Sequence, residues 1–261
     1  RTTAQDLRSR FTKDGKTAAD AGAYHTYQEN RDQLKDWAKK YPELATFKVI
    51  GKTFENRDVH ALKITGNKTG KTVPKFLLLG LHHSREWISV EVPLGFAKLL
   101  LEKYGKDEKI TKLVNEREIW FVPVVNPDGL IWSQTQYSYW RKNRNDNGGG
   151  SQIGVDPNRN YGYKWGNVGA SDYPGSNTYH GTGPFSELCT QNIMKLAQKE
   201  KFTADISYHS SGQLILYPWS YTGNSTCPDD KLFSKLAKDM AKLNKYRPQQ
   251  SADLYPSMGD T

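Results

Sequence analysis

The sequence predicts one α/β domain in which helices cover both faces of a central, mixed β-sheet. Short apolar runs of strand length alternate with longer segments of helical periodicity, and turn residues separate most of them. The 261 residues, of which 36% are hydrophobic, are enough for one large α/β domain or two small ones. Residues 24–261 contain no internal repeat and no clear linker, which favours a single domain.

Period, length and flanking turn residues predict the individual elements. Leu34, Trp37 and Ala38 share one helix face, and Pro42 ends that helix. Residues 55–58 are turn formers between two strand-like runs and predict a hairpin. The predicted order is helix 27–41, strands 47–50, 59–64 and 75–80, helix 88–104, strand 119–125, helix 186–199, strands 204–208 and 214–217, and helix 231–243.

Two segments are predicted to be irregular. Residues 126–129, Asn-Pro-Asp-Gly, predict a turn at the end of strand 119–125. Residues 137–183 show little periodicity and are rich in Gly, Asn, Tyr and Trp. A loop of that length inside a compact domain is typical either of a functional segment or of disorder, and its aromatic content argues against disorder.

The net charge of +9 raises the question of nucleic acid. Lys and Arg are spread along the whole chain and interleaved with acids, whereas nucleic-acid sites need a clustered basic patch. We therefore predict a solvated basic surface and no nucleic-acid partner. No apolar run approaches the ~18 residues that span a bilayer, so no membrane segment is predicted.

The amino terminus and the cysteines bear on processing and compartment. The chain begins at Arg1 with no methionine and no apolar signal segment, which is typical of a mature or excised domain. Residues 1–23 are polar and basic, and we interpret them as an arm or linker before the domain at 24–261. A disulfide between Cys189 and Cys227 would stabilise the fold by roughly 4 kcal/mol and would indicate an oxidising compartment; two buried thiols are the alternative.

The sharpest chemical motif is His-Ser-Arg-Glu at 83–86, which follows an apolar strand and precedes a helix. The carboxyl end of a sheet strand is where α/β proteins place ligand sites, and zinc accepts both imidazole nitrogen and carboxylate oxygen. The same residues also occur as an ordinary strand-to-helix loop with a glutamate at the helix start. His209, which ends a later strand, is the candidate third ligand, although a single histidine in that position is more often structural.

Several motifs together resemble the zinc metallocarboxypeptidase family, which includes carboxypeptidases A, B and T. The resemblance covers nearly everything from Tyr24 to the end of the chain, with the motifs in the family's order. The family's H-x-x-E frame falls on His83 and Glu86, which leaves His82 as a neighbour of the ligands. The segments that carry the resemblance are 24–27 (YHTY), 83–87 (HSREW), 125–129 (VNPDG), 140–144 (WRKNR), 155–160 (VDPNRN), 179–181 (YHG) and 208–210 (YHS).

The resemblance implies one zinc ion held by His83, Glu86 and His209, with a position left for water and the scissile carbonyl oxygen. It implies that the carboxylate of Asp156 orients a ligand histidine. As a residue on its own, Asp156 is interpreted equally well as a loop acid that caps a turn. Arg141 would stabilise the oxyanion that forms on the substrate, a task suited to a fixed and always charged donor.

The resemblance also implies how the substrate is bound. Asn158 and Arg159 would clamp the terminal carboxylate, to which a planar guanidinium donates two parallel bonds. Arg85 would extend the peptide groove, and Tyr255 would close over the substrate from a mobile loop. Exposed surface residues are the alternative interpretation of both Arg85 and Tyr255.

The sequence departs from the family at its end. The family places a general-base glutamate on a late strand, whereas the last glutamate here is Glu200, before His209. We therefore expect the final strand and helix of the family to be missing from residues 24–261. A clipped or incompletely reported chain explains this, and so does a homologue that binds zinc or peptides without turnover. The residue that sets the side-chain preference would lie in the same missing stretch.

These expectations define three candidate functions. The first is a zinc exopeptidase that releases one residue from a free peptide carboxyl end. The second is a non-catalytic zinc- or peptide-binding homologue, and the third is a zinc deacylase on the same scaffold. The resemblance further implies a secreted or extracytoplasmic monomer, made as a zymogen with an inhibitory propeptide.

Overall fold

The structure is a computed structural model that describes residues 24–67, 70 and 72–261. The arm predicted at 1–23 lies outside the described residues. Contacts divide the chain into two compact units. The first runs to Asn145 and includes Leu188–Ser210, and the second combines Asp146–Glu187 with Ser211–Thr261.

The first unit contains the central sheet and its helices. Its helices and strands, in chain order, are α1 (Tyr27–Lys40), β1 (Ala45–Lys52), β2 (Asp58–Ile64), β3 (Lys75–Leu79), α2 (Ile88–Lys103), α3 (Glu108–Glu116), β4 (Glu118–Val122), α4 (Pro127–Thr135), α5 (Leu188–Glu200) and β5 (Ala204–Ser207).

The strand order in the sheet is β1-β2-β4-β3-β5. β1 pairs antiparallel with β2, and β2 with β4, whereas β3 runs parallel to both β4 and β5. In β4, Ile119 and Phe121 belong to the main hydrophobic cluster, while Trp120 and Val122 alternate to the other side and are also buried. Both sides of this strand are therefore covered, and the predicted mixed sheet within an α/β fold is confirmed.

Local chemistry explains the first helix. The hydroxyl of Thr26 accepts a hydrogen bond from the backbone of Glu29 at 3.2 Å, and the Glu29 carboxylate accepts one from the backbone of Thr26 at 2.8 Å. This reciprocal capping box satisfies two amide groups that have no partner inside the helix. Leu34 and Trp37 are buried, as the periodicity predicts.

The turn predicted at 126–129 is wrong, because this segment begins helix α4. Asn126 is the N-cap, and its side-chain oxygen accepts a hydrogen bond from the backbone of Gly129 at 3.0 Å. Pro127 occupies the first helical turn, where its missing N–H costs nothing. The residues that favour turns also favour helix starts, so composition alone did not separate the two. Helix α3 and the strand at Arg247–Gln250 were not predicted from the sequence.

The second unit is mostly irregular up to Glu187, as predicted for residues 137–183. Its remaining part pairs two parallel strands, against which one helix packs. The elements are a 3₁₀ turn (Pro157–Arg159), β6 (Leu214–Tyr217), α6 (Asp230–Asn244), β7 (Arg247–Gln250) and a second 3₁₀ turn (Ser251–Asp253). Among the described residues of the chain, no helix is long and apolar enough to cross a bilayer.

His60 introduces a pH dependence into the first unit. It lies on β2, is 4% exposed, and stacks on Tyr27 with the ring centres 5.2 Å apart. Its Nδ1 atom has no hydrogen-bond partner among the described residues. Burial lowers its pKa to about 4 from the ordinary value of 6.5. The half-buried His25 is the opposite case, since a hydrogen bond to Glu91 raises its pKa.

Acidification from pH 6.5 to 4 should therefore destabilise the fold through His60. In that window the unfolded chain binds a proton at this histidine and the folded chain does not. We expect His60→Phe to recover about 3 kcal/mol of the acid loss in unfolding free energy, measured by urea titrations across that range. His25→Asn should act above that window instead: His25 gains protons on folding, so its removal should abolish a stabilisation that builds up as the pH falls from the raised pKa of His25 to about 6.5. Identical pH profiles for the parent and His60→Phe would contradict the assignment.

Candidate metal centre

The loop between β3 and α2 carries two of the predicted ligands. The Nδ1 atom of His83 lies 2.8 Å from Oε1 of Glu86, and the backbone N–H of Glu86 donates to the His83 carbonyl at 3.1 Å. The Ser84 hydroxyl donates to the Trp140 carbonyl at 2.7 Å, and the indole N–H of Trp87 donates to the Ser84 carbonyl at 2.9 Å. The loop is thus fixed on both sides of the motif, with His83 and Glu86 buried.

The third predicted ligand comes from the strand next to β3. Because β3 and β5 are parallel, with Leu79 paired to Ser207, their carboxyl ends lie side by side. His209 follows β5, and its Nδ1 atom lies 3.0 Å from Oε2 of Glu86 and 3.1 Å from Nδ1 of His83. The backbone N–H of Ser210 also donates to Oε2 of Glu86 at 3.1 Å. Each carboxylate oxygen of Glu86 therefore contacts one of the two imidazoles.

The three donor atoms fit a zinc ion. They lie within 4.8 Å of one another. The two imidazole Nδ1 atoms are 3.1 Å apart, and each lies 2.8 or 3.0 Å from one of the two Glu86 oxygens. Zinc–ligand bonds of about 2.0–2.2 Å at tetrahedral angles place neighbouring donors about 3.3 Å apart, so only a small expansion is needed. Two imidazoles and one carboxylate also form a known catalytic zinc set with one position left open.

The electrostatics of the cluster favour a bound cation. Burial alone would raise the pKa of the Glu86 carboxyl, but hydrogen bonds with His209 and His83 outweigh burial and hold this pKa far below its usual range. Glu86 is therefore a carboxylate at neutral pH. Although 30% of the His209 side chain is exposed, the protein atoms around its ring exclude enough water to lower its pKa. A neutral imidazole is the form that binds a metal ion.

Arg141 is held close to this cluster. Its carbonyl accepts a hydrogen bond from the backbone of Ser84 at 3.0 Å, so the residue is tied to the ligand loop. It is 9% exposed, and its positive charge contributes to lowering the pKa of His209. Arg85, by contrast, is exposed, and its role in the peptide groove stays a prediction.

In the second unit, Asp156 begins a short 3₁₀ turn. It is fully buried, and its Oδ1 atom accepts a hydrogen bond from the backbone of Asn158 at 2.9 Å. Asp156 therefore caps a turn, which was one of its two interpretations. Its role in orienting a ligand histidine stays a prediction. Asn158 uses its side-chain oxygen to accept from the backbone and hydroxyl of Thr261, at 3.0 and 3.3 Å.

Arg159 and Tyr255 lie together in the same unit. The guanidinium of Arg159 lies 5.7 Å from the ring centre of Tyr255. Its Nε atom donates to the Gly169 carbonyl at 2.7 Å and Nη1 donates to the Asn158 carbonyl at 2.6 Å. Nη2 has no hydrogen-bond acceptor among the described residues. Arg159 is 2% exposed and Tyr255 is 50% exposed, so a fixed cation lies near an exposed ring.

Two polar residues that contact the cluster were not predicted from the sequence. His82 was interpreted only as a neighbour of the ligands, and Ser207 was not selected. The Ser207 hydroxyl lies 3.2 Å from Nε2 of His209 and 3.1 Å from Nδ1 of His82. The pairing of Ser207 with Leu79, just before the ligand loop, is a matter of strand register, which the linear sequence does not display.

Residues 31–261 match the family model of the zinc carboxypeptidases. Carboxypeptidase A4 of Mus musculus is 35% identical over 92% of this chain and 59% of its own length. Carboxypeptidase A2 of Mus musculus is 38% identical over 80% of this chain and 49% of its own length. The chain therefore spans about half the length of these curated relatives.

The fold is also similar to that of a solved structure. The crystal structure of thrombin activatable fibrinolysis inhibitor matches 99% of this chain and 68% of its own chain. The TM-score is 0.88 at 27% sequence identity. The mixed sheet and its helices therefore follow the architecture of that protein.

Zinc should stabilise the chain through this cluster. We expect about 2.7 kcal/mol of added unfolding free energy at a roughly hundredfold excess of free zinc over its dissociation constant. His209→Ala should abolish the gain because it removes one of three donors, whereas His25→Asn, outside the cluster, should retain it. Thermal unfolding of chelator-treated protein, with and without zinc, measures both. Full zinc stabilisation of His209→Ala would contradict the ligand assignment.

Proposed function

Because the chain belongs to the zinc carboxypeptidase family, we propose that it carries the zinc site of a metallocarboxypeptidase, which releases one amino acid from the free carboxyl end of a peptide. The convergence of His83, Glu86 and His209 on one point is the observation that carries the proposal. In this proposal the three residues hold a single zinc ion. The ion, when bound, supplies Lewis-acid polarisation of the scissile carbonyl and activation of water.

Arg141 is proposed to stabilise negative charge on the reacting carbonyl oxygen. Support comes from its backbone bond to the ligand loop and from its electrostatic effect on His209. A guanidinium keeps its charge at every working pH and is largely withdrawn from water here, which strengthens its interaction with a developing oxyanion. Its position is set before substrate arrives, so no reorganisation is needed during the reaction.

Asn158, Arg159 and Tyr255 are proposed to recognise the end of the substrate. Hydrogen bonds to two backbone carbonyls fix the guanidinium of Arg159 in place, and a terminal carboxylate is an acceptor that suits it. An internal peptide bond brings no such carboxylate to the buried cation, so action is expected at chain ends only. Tyr255, half exposed beside Arg159, is the residue proposed to cover the bound end, and Arg85 to extend the peptide groove.

The two other candidate functions predict different behaviour. A homologue that only binds would take up zinc and peptides without releasing amino acids. A zinc deacylase would act on acylated amino acids in preference to peptides. The arginine-based recognition proposed for peptide ends favours the exopeptidase over the deacylase, and turnover by the natural polypeptide would exclude a homologue that only binds. A panel of peptide and acylated amino-acid substrates separates the three.

The proposed setting is outside the cytoplasm. The family resemblance supports a secreted monomer whose precursor carries an inhibitory propeptide. An intact mass of the natural protein, together with its mass in solution by light scattering, tests the processing and the oligomeric state. A precursor found only in the cytoplasm would contradict the secretion proposal.

The natural polypeptide should discriminate between free and amidated carboxyl ends. We expect zinc-dependent release of the last residue from a peptide acid, and little release from the same peptide with a C-terminal amide. Removal of zinc by a chelator should stop the reaction, and added zinc should restore it. Mass spectrometry of the products measures both. Equal cleavage of acid and amide would exclude the proposed recognition of peptide ends.

Arg159→Gln should remove that discrimination. A hydrogen bond to a charged partner contributes about 1.5–3 kcal/mol, so kcat/KM for the peptide acid should fall about 10- to 100-fold. The rate for the amide should fall much less, because the amide has no terminal carboxylate to bind this cation. Arg117→Gln is the matched control because Arg117 is the C-cap residue after α3 and, within the described part of the chain, its side chain bonds only to Glu116. An unchanged acid-to-amide ratio in Arg159→Gln would contradict the role.

A further inference from the structure

We propose that His82, acting through the hydroxyl of Ser207, positions His209 and selects the form of its ring that can bind the metal. The inference rests on the proposed function, because it assigns an orienting residue to one of the proposed zinc ligands. His82 is thereby a positioning residue, and it does not contact the metal or the substrate in this arrangement.

The contacts form a continuous line on the side of His209 that faces away from the other ligands. Nδ1 of His209 faces Glu86 and His83, whereas its Nε2 lies 3.2 Å from Oγ of Ser207. The same Oγ lies 3.1 Å from Nδ1 of His82. The rings of His82 and His209 also stack, with centres 5.6 Å apart and planes inclined by 22°.

The direction of these hydrogen bonds decides whether His209 can bind a cation. A neutral imidazole carries one proton, and a metal at Nδ1 requires that proton on Nε2. In that form Nε2–H donates to Oγ of Ser207, and the Ser207 hydroxyl must direct its own hydrogen elsewhere. His82 offers an acceptor at Nδ1 in the required place. Nε2–H of His209 then donates to Ser207, and the Ser207 hydroxyl donates to His82.

The opposite direction would block the site. If the Ser207 hydroxyl donated to Nε2 of His209, the proton of His209 would sit on Nδ1 and point at Glu86. The carboxylate favours that form, because it accepts hydrogen bonds readily. His82 counteracts it by drawing the Ser207 hydrogen towards itself. Partners of this kind fix both the tautomer and the ring orientation of ligand histidines.

The placement of His82 fits this role. It is fully buried, so its hydrogen bond to Ser207 is protected from competing water. The side-chain amide of Asn126 donates to the His82 carbonyl at 3.1 Å, which fixes its backbone. Ser207 is fixed in turn by the ladder between β5 and β3. The two anchored residues hold His209, whose own position after the strand end is partly exposed.

The test measures metal affinity directly on the parent chain and its variants. We expect His82→Phe, which keeps a stacking ring but loses the acceptor, to weaken zinc binding about tenfold or more in competition with a chromogenic chelator. Ser207→Ala should weaken it similarly, and Ser207→Thr, which keeps the hydroxyl, should restore most of the affinity. The double variant His82→Phe/Ser207→Ala should be no weaker than either single variant, because both act through one line of bonds.

A spectroscopic readout separates positioning from general loss of structure. Cobalt bound in place of zinc should show altered d–d absorption in His82→Phe and Ser207→Ala, and parent-like absorption in Ser207→Thr. His60→Phe is the control, since it changes another buried histidine on the same sheet that contacts none of the ligands, and its zinc affinity should match the parent. Near-ultraviolet circular dichroism checks that each variant is folded.

The outcomes distinguish this inference from the proposed function. A parent chain that binds zinc, with His82→Phe and Ser207→Ala within twofold of it, overturns the positioning role and leaves the proposed function intact. Additive losses in the double variant also overturn it. A folded parent chain that binds no zinc at all overturns the proposed function itself.

Discussion

The carboxylate of Glu86 joins two imidazoles that reach it from different strands, and the rest of the site is arranged around that contact. One oxygen of Glu86 faces His83 from the same loop, and the other faces His209 from beyond β5. This convergence requires β3 and β5 to be neighbours and parallel, because only then do their carboxyl ends lie together. The order of strands in the sheet is therefore a condition for the cluster.

Burying a carboxylate beside two imidazoles is costly unless its charge is compensated. Water is largely excluded from Glu86, and the opposing effect of its hydrogen bonds keeps it ionised. The backbone N–H of Ser210 adds compensation that does not depend on a metal. The protein thus holds an anionic centre in place before a cation arrives. Such preorganisation lets the binding free energy of the metal add to stability instead of being spent on ordering ligands.

The sequence predicted the strands of the central sheet and most helices, because these follow from the spacing of apolar residues and from the turn-forming residues that separate the segments. The ligand motif at 83–86 could be selected because strand, histidine, glutamate and helix follow one another within a short window. His209 could be joined to them only by resemblance, because its proximity depends on which strand pairs with β3. Helix α4 was lost for a different reason. Asn126 and Pro127 serve both turns and helix starts, and only the backbone that follows distinguishes them.

Ser207 and His82 could not be selected from the sequence either, because their contacts also depend on which strand pairs with β3. A serine in an edge strand and a second histidine beside a ligand form no distinctive sequence pattern. Their proposed role depends on which partner each of the two ring nitrogens of His209 contacts in the folded chain. One nitrogen faces the anionic cluster, which favours a proton there, and the other faces a hydroxyl that can accept one. A cation at the cluster needs the second arrangement. The structure therefore places two opposing hydrogen-bond partners on one imidazole, and the balance between them sets how readily the site accepts its metal.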